Sequence, residues 1–552
     1  MPTSRMRPSP GSRLAKRSRV AFALAVAAVT AVTISACSGS TSSTGNDDAS
    51  ATFVMSQQTL PTTLDPDNFS GGTRFYLAAF NSLLFSYTGT SCGTAPTSDE
   101  MVPQLAKSWE VSDDRKTITV ELNDYESQWG NPLTAEDVKY TIERGRALSP
   151  IMQFLSLQTV KMDESEPITV VDENTFTINV TEPSPLDLAI WTVPTFTILD
   201  KTEIEKNATS EDPWGTAWAE KNSAGFGPWQ VDSFVDGDSI TMSANPGFTG
   251  DRGNVDKLVI KQVAQASDQM QLLQSGSLNY ARDLTFQQFD SLGAANNVEV
   301  YPCAPVSRDW LILNFDAVPA FADVRVRQAI SMALDRDALN QGAYAGLGTP
   351  SEYGLLTGVL PESPDLEEIP TGDIEGAKAL LKEAGYADGF SFTLGYSATQ
   401  PGAQVEQLSV LLQSQLADLG ITVNLAPYAS GTELQDAHGK GTYEAQLWSS
   451  GAAVPSAYFE ATLVQPGAPN NTWGYDSTEY TALVEQMGAA EVGSEEYQAL
   501  SVQIANQFVA DVPIVSLVDT PNIFAMTTNV SGIDDALGTI MIRPDVSQLT
   551  VK

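Results

Sequence analysis

Histidine is almost missing from this chain. Its 552 residues include one, His438, together with only three cysteines, Cys37, Cys92 and Cys303. One imidazole builds neither a His-rich metal site nor a Ser-His-Asp or Cys-His relay, and its setting, His-Gly-Lys-Gly, reads as an exposed loop. Basic residues are scarce too: 30 Lys and Arg stand against 68 Asp and Glu, for a net charge of −38. A surface of that sign repels phosphate backbones, which excludes nucleic acid as a partner. It favours cationic solutes over anionic ones, or simply keeps an exported chain soluble. The Gly-Lys-Gly-Thr at 439–442 lacks the spacing of a phosphate loop, and carboxylates are too numerous for any glycosidase pair to stand out. Residues 20–34 are apolar but fall short of the roughly 20 residues a membrane span needs. No metal or cofactor motif is present, no repeat appears, and no enzyme signature survives.

What is there begins at the N-terminus. Arg5, Arg7, Arg13, Lys16, Arg17 and Arg19 form a basic stretch without an acid, and the apolar run 20–34 suits a signal-peptide core. The Ile34-Ser35-Ala36-Cys37 that follows resembles a bacterial lipobox, which implies cleavage before Cys37 and a lipid on its sulfur. An ordinary signal peptide and an uncleaved anchor are the alternatives. On the lipoprotein reading, residues 1–36 are the signal peptide. Residues 37–51, with a run rich in Ser, Thr, Gly and Asp, are then a flexible tether. The chain would be exported and held at the outer face of the cytoplasmic membrane. Cys92 and Cys303 then remain, and two thiols in an oxidising compartment suggest one disulfide.

Periodicity organises the rest into strands and helices. Residues 52–55 and 258–263 read as strands. The alternation of Ile118, Val120 and Leu122 marks a half-buried hairpin strand after an acidic turn at Ser112-Asp113-Asp114-Arg115. Thr134 and Asp137 form a near capping box, and residues 75–85 and 268–275 read as helices. In 311–339, LILNFDAVPAFADVRVRQAISMALDRDAL, a strand is broken by Pro319 and a helix is capped by Asp323. Val326, Ala329, Ile330, Ala333 and Leu334 make its apolar stripe, with Arg325, Arg327 and Gln328 opposite. Asp335 restarts a second helix. Asp373 and Gly385 bracket a third helix, and Gly420 ends a fourth before a strand at 421–425, an α/β unit. Late strands are expected at 526–530 and 540–542.

The literal string is more specific than its periodicity. FADVRVRQAISMALDRDAL resembles the signature of the extracellular solute-binding proteins of family 5, the receptors of peptide- and nickel-type ABC importers. Four further blocks agree in order: Leu64-Asp65-Pro66; Leu105-Ala106-Lys107-Ser108-Trp109-Glu110 leading to Pro132-Leu133-Thr134-Ala135-Glu136-Asp137-Val138; Gly225-Phe226-Gly227-Pro228-Trp229 with Asn245-Pro246-Gly247-Phe248; and the 447–475 region. Arg115 stands where the family usually has Gly. The resemblance implies an α/β, bilobed, periplasmic-binding-protein-like fold of type II, cluster C-like, with an extra subdomain in the first lobe. Lobe I would comprise 52–85, 222–305 and 515–552, its subdomain 86–221, and lobe II 306–514. The function implied is capture of a small solute, above all an oligopeptide, and its delivery to a membrane permease by a monomer that closes its lobes, without catalysis or cofactor.

Site residues follow from the same resemblance. Leu64 and Asp65 would line the cleft after the first strand. Trp448, Ser449, Ser450 and Gly451 match the cleft strand, in which the family's ammonium-binding Asp is replaced by Gly451. Asn471, Trp473 and Gly474 match an Asn-rich loop facing ligand. Read from the residues, Trp310, Trp448, Tyr458, Trp473 and Tyr475 are rings that wall a cleft or fill a core. Arg308 meets a ligand carboxylate or pairs with Asp309 on a surface. Gly451 leaves open a non-peptide solute such as a sugar, an opine or a chelated metal. A lipid-anchored enzyme and an adhesive surface protein are the readings of other classes.

Overall fold

The computed structural model describes residues 51–67, 83–87, 101–250, 252–399, 402–451, 454, 456–468, 470–533 and 545–552. Cys37, Cys92 and residues 540–542 lie outside them, as does most of the helix expected at 75–85. The end of that segment is not helical, because Phe85–Tyr87 is a strand paired with Met101–Pro103.

One eleven-stranded sheet runs through the molecule. Its order is Thr422–Pro427, Ser391–Tyr396, Ala445–Gly451, Val298–Leu313, Val515–Thr527, Tyr280–Ala281, Ala51–Gln57, Val255–Gln262, Ser239–Ala244 and Trp229–Val235, with Thr349–Pro350 added beside Val515–Thr527. Each half is built round a parallel strand. Ser391–Tyr396 runs parallel to both of its neighbours, and Ala51–Gln57 does the same in the other half. Between the halves stand the two longest strands, Val298–Leu313 and Val515–Thr527, antiparallel over nearly their whole length. Sequence reading missed most of the second because Asp519 and Pro521 interrupt its apolar run. The structure accommodates the proline where the pairing is irregular: Pro305 faces Pro521, and the register shifts on both sides of that pair. A proline has no N–H to give a ladder, so bulges are where strands tolerate it.

The helices expected around 324–344 form as their sequence dictates. Asp323 accepts from the N–H of Arg325 to cap Val324–Ala333, and Asp335 accepts from Ala338 to cap Arg336–Tyr344. Val326, Ala329, Ile330 and Ala333 are all buried, in one core with the strand Ser391–Tyr396 and the helix Gln404–Ala417. One expectation for this helix fails. Arg327 is not on a solvated face but buried, where it donates to the carbonyls of Phe321, Ala322, Asp511 and Val512. Five donors in a fixed fork let guanidinium close several chain ends at once. Gly385 takes the left-handed conformation that its place after the helix demands (φ +90°). Arg115, in the family's Gly position, is also left-handed (φ +56°).

A separate four-stranded antiparallel sheet, Ala106–Val111, Thr117–Leu122, Thr175–Asn179 and Ile168–Val170, covers the helix Ala135–Leu148. The capping box of that helix is complete, with Thr134 and Asp137 reciprocally bonded. The helix also carries Arg144, whose side chain is fully buried. It makes a two-pronged pair with Asp65 (2.8 and 2.6 Å) and a further bond to Asp67 (2.5 Å), and it donates to the carbonyl of Trp214. Gly145 gives the loop room: a Cβ there would lie 2.8 Å from Met152 Cγ and 3.3 Å from Asp67 Oδ1. Removing the guanidinium strands two buried carboxylates, which costs about 3–5 kcal/mol. Arg144→Met is therefore expected to lower the urea midpoint by that equivalent, and a midpoint within error of the parent would show that the pair is dispensable.

Candidate functional site

Parallel strands on each side of the two long strands end facing the same gap. Residues just past a parallel strand's carboxyl end are the usual ligand positions in an α/β sheet. Here Gln58 follows Ala51–Gln57, residues from 282 to 289 follow Tyr280–Ala281, and Thr399, Gly402 and Gln404 follow Ser391–Tyr396. Together with Ser307, Asp309, Ser449, Gly451 and residues 520–523 they line a cavity of about 540 Å³. Its volume lies within the range of small-molecule sites, about 300–1,000 Å³. Both halves of the sheet contribute, and the floor is the crossing of the two long strands.

The polar groups at that floor are held by each other. Ser307 Oγ and Thr520 Oγ1 lie 2.5 Å apart. Asp309 is 1 % exposed, and its Oδ2 accepts from Tyr344 Oη (2.6 Å) and Gln404 Nε2 (3.2 Å). Ser449, its cross-strand neighbour, also bonds the carboxyl group. Burial raises the Asp309 pKa, against these donors. At the rim, Asp283 Oδ2 accepts from the N–H of Gln58 (2.8 Å).

The residues singled out from the sequence divide into three groups. Ser449 and Gly451 line the cavity. Arg308, Trp310 and Gly451 border a second space of about 10 Å³, the size of one water, together with Glu460. The others lie elsewhere. Leu64 sits in an apolar core, and Asp65 is the buried partner of Arg144. Trp473 is 1 % exposed in the helical core that also holds Tyr475, and Tyr475 donates to Asp511 (2.7 Å). Trp448 stacks on His438 with centroids 4.2 Å apart. Asn471 bridges the carbonyls of Val464, Gln465 and Tyr475, and Gly474 (φ +85°) packs beside Asp316. Tyr458 is half-buried against the core of the four-stranded sheet. Ser450 is described by its backbone alone, opposite Arg308.

Two placements overturn the expectations. Arg308 neither faces a ligand nor pairs with Asp309. It is 2 % exposed and makes a two-pronged bond to Asp519 (2.5 and 3.0 Å), while also donating to the carbonyls of Tyr353, Gly354 and Leu355. His438 is not in an exposed loop but buried in the helix Gly431–Gly439, where Nε2 lies 2.9 Å from the carbonyl of Asn470. Burial lowers its pKa. The cavity's own polar residues were overlooked, and one signal was available. Asp309 shares strand parity with Leu311 and Leu313, so a carboxylate was visible on a core-facing side.

Glu460 generates a pH prediction. It is half-buried: its Oε2 accepts from the N–H of Leu356 (2.9 Å), and its buried Oε1 has no partner among the described residues. Burial pushes its pKa up to about 7, with Arg308 pulling the other way. A raised value means that the fold prefers the protonated acid. Its stabilisation is complete below the unfolded pKa and is lost as pH climbs through 7. Glu460→Gln has no such loss, so its advantage over the parent is expected to grow between about pH 5 and pH 8, by up to roughly 3 kcal/mol. Urea unfolding at both pH values measures the gap, and a constant gap would refute it.

Known proteins resemble this chain along most of its length. The family model "Bacterial extracellular solute-binding proteins, family 5 Middle" matches residues 100–471. A dipeptide-binding protein of Escherichia coli (strain K12) is 25 % identical over 452 residues, which cover 77 % of this chain and 81 % of that one. The crystal structure of a putative peptide-binding protein, AppA, from Clostridium difficile superposes with a TM-score of 0.78 at 20 % identity, over 91 % of this chain and all of its own. AgaA from A. tumefaciens R10, solved with agropinic acid, gives 0.75 at 22 % identity, over 91 % and 99 %. These structures share the bilobed periplasmic-binding-protein fold. The chain belongs to family 5 of the bacterial extracellular solute-binding proteins, the solute-capturing components of ABC importers.

Proposed function

We propose that this chain captures oligopeptides outside the cell and hands them unchanged to a membrane permease. One observation carries the reading. The cavity is assembled from strand ends on both sides of the long-strand crossing, so a ligand there is held by both halves of the sheet at once. A ligand that contacts both stabilises their closed arrangement by its preference for that state. Peptides suit the lining, which offers hydroxyls and amides at Ser307, Gln404, Ser449, Thr520 and Asn522 to an amide backbone. The printed names of the dipeptide- and peptide-binding relatives point the same way.

In this reading lobe I comprises 52–85, 222–305 and 515–552, its subdomain 86–221, and lobe II 306–514. The receptor is a monomer without catalytic activity, anchored through lipid on Cys37. Cys303 is disulfide-bonded, and with Cys37 lipidated this reading requires Cys92, the remaining cysteine of the sequence, as its partner. No helix among the described residues is long and apolar enough to cross a membrane. A second reading, an opine or related solute, is favoured by Gly451, which leaves the cleft strand without the carboxylate its family carries there.

Thermal-shift titration with a defined tripeptide mixture, and separately with an opine, tests the proposal. A peptide present at 100 times its dissociation constant is expected to stabilise the protein by about 2.7 kcal/mol, with a smaller radius of gyration in solution scattering. Stabilisation by the opine alone would replace the peptide reading with the second one.

A further inference from the structure

The carboxylate of Asp309 stands at the cavity floor with one oxygen unused. Oδ2 gathers Tyr344 and Gln404, while Oδ1 is buried and has no hydrogen-bond partner among the described residues. Every group bonded to the side chain is neutral: a phenol, an amide and the Ser449 hydroxyl. The one other charge with a marked effect on it is Asp519, of its own sign, and Asp519 is already paired with Arg308. Arg308, the residue before Asp309, points to the opposite face of the strand, where Asp519 and three carbonyls engage its fork. Among the described ion pairs none includes Asp309. Arg282 and Asp283 at the rim lie 3.8 Å apart and face each other.

A buried carboxylate without a counter-ion is costly even after relaxation, and ionised acids inside proteins are normally paired. Its neutral donors orient it and leave the charge uncompensated. Tyr344 is fully buried and its phenol is held well above the usual range by that burial, so it remains a donor. The free oxygen belongs to a residue that lines the 540 Å³ cavity. We propose that Asp309 is the receptor for a cationic group on the ligand, an ammonium or guanidinium, whose arrival completes an ion pair that the protein alone leaves half built. The inference rests on the solute-binding reading and adds to it the charge class of the solute. It also assigns specificity to a strand other than the one that carries Gly451: the acid sits on the facing strand, opposite Ser449.

The experiment uses the full chain and Asp309→Asn, which keeps the side-chain shape and removes the charge. Three probes separate the sources of the cation: trialanine, with a free amino terminus; N-acetyl-Ala-Lys-Ala, with a side-chain ammonium alone; and N-acetyl-trialanine, with neither. Calorimetric titration of the parent is expected to show at least one cationic probe binding tenfold or more above the acetylated neutral peptide. The Asp309→Asn variant should lose that margin. Equal affinity of the parent for all three overturns the assignment without any variant, as does a variant that binds the cationic probes as the parent does. Methylammonium chloride against sodium chloride, read by thermal shift on both proteins, separates the two readings. Stabilisation of the parent alone by methylammonium, with no peptide bound, keeps the cation site and refutes the peptide ligand. No response to either probe class refutes both.

Discussion

The ion pair between Arg308 and Asp519 ties together the two strands on which the rest of the molecule is hung. Among the described residues, Val298–Leu313 and Val515–Thr527 are the only strands that reach both halves of the large sheet, and Asp519 faces Arg308 across them in register. The pair is enclosed, so water and salt screen its attraction far less than at the surface. Its cost in desolvation is offset only because the same guanidinium also closes the carbonyls of Tyr353, Gly354 and Leu355, and because Ser351 donates to Asp519 (2.6 Å). Such satisfied networks fix one geometry rather than adding much net stability. What they fix here is the crossing angle and register of the strands that form the cavity floor.

Buried arginines recur at comparable junctions. Arg144 ties the loop after the first strand to a helix of the four-stranded subdomain, and Arg327 gathers chain ends round the helix Val324–Ala333. Arg336 donates to Ser516 and Ser331 in the same way. In a chain with 68 acids and 30 bases, several of the few guanidiniums are therefore buried within the frame. Arg308, Arg327 and Arg336 donate largely to backbone carbonyls, where five forked donors exceed what Lys can supply. The acids remain in excess, and one of them, Asp309, lines the cavity.

Much of the architecture was legible in the sequence because local rules and the fold agreed there. Asp323, Thr134 and Gly385 do what caps and left-handed positions require, and the stripe from Val326 to Ala333 is buried as its spacing demands. The site was far less legible. A resemblance pointed to the cleft strand, whose Ser449 and Gly451 line the cavity, yet it also nominated rings such as Trp473 that fill a core. Nothing local distinguishes a tryptophan in a loop that folds inward from one that meets a ligand. Arg308 and Asp309 looked like a surface pair because neighbours in a strand are adjacent in sequence. Pleating sends them to opposite faces, and each finds a distant partner. The strand Val515–Thr527 was hidden by Asp519 and Pro521, residues whose presence makes sense only beside Arg308 and Pro305.

The helix Ala457–Val464 lies just beyond the cleft strand, yet Phe459 and the nearby Val454 are buried in the core of the four-stranded sheet. Two apolar side chains thus act as a plug in a foreign socket. Withdrawing a fully buried side chain of this kind costs about 1.5–3 kcal/mol, so parting these surfaces is uphill even with nothing in the cavity. Once solute has closed the receptor, the same contact would slow its reopening. Uptake would then be limited by how often the plug lets go, a property set by residues that never touch the cargo.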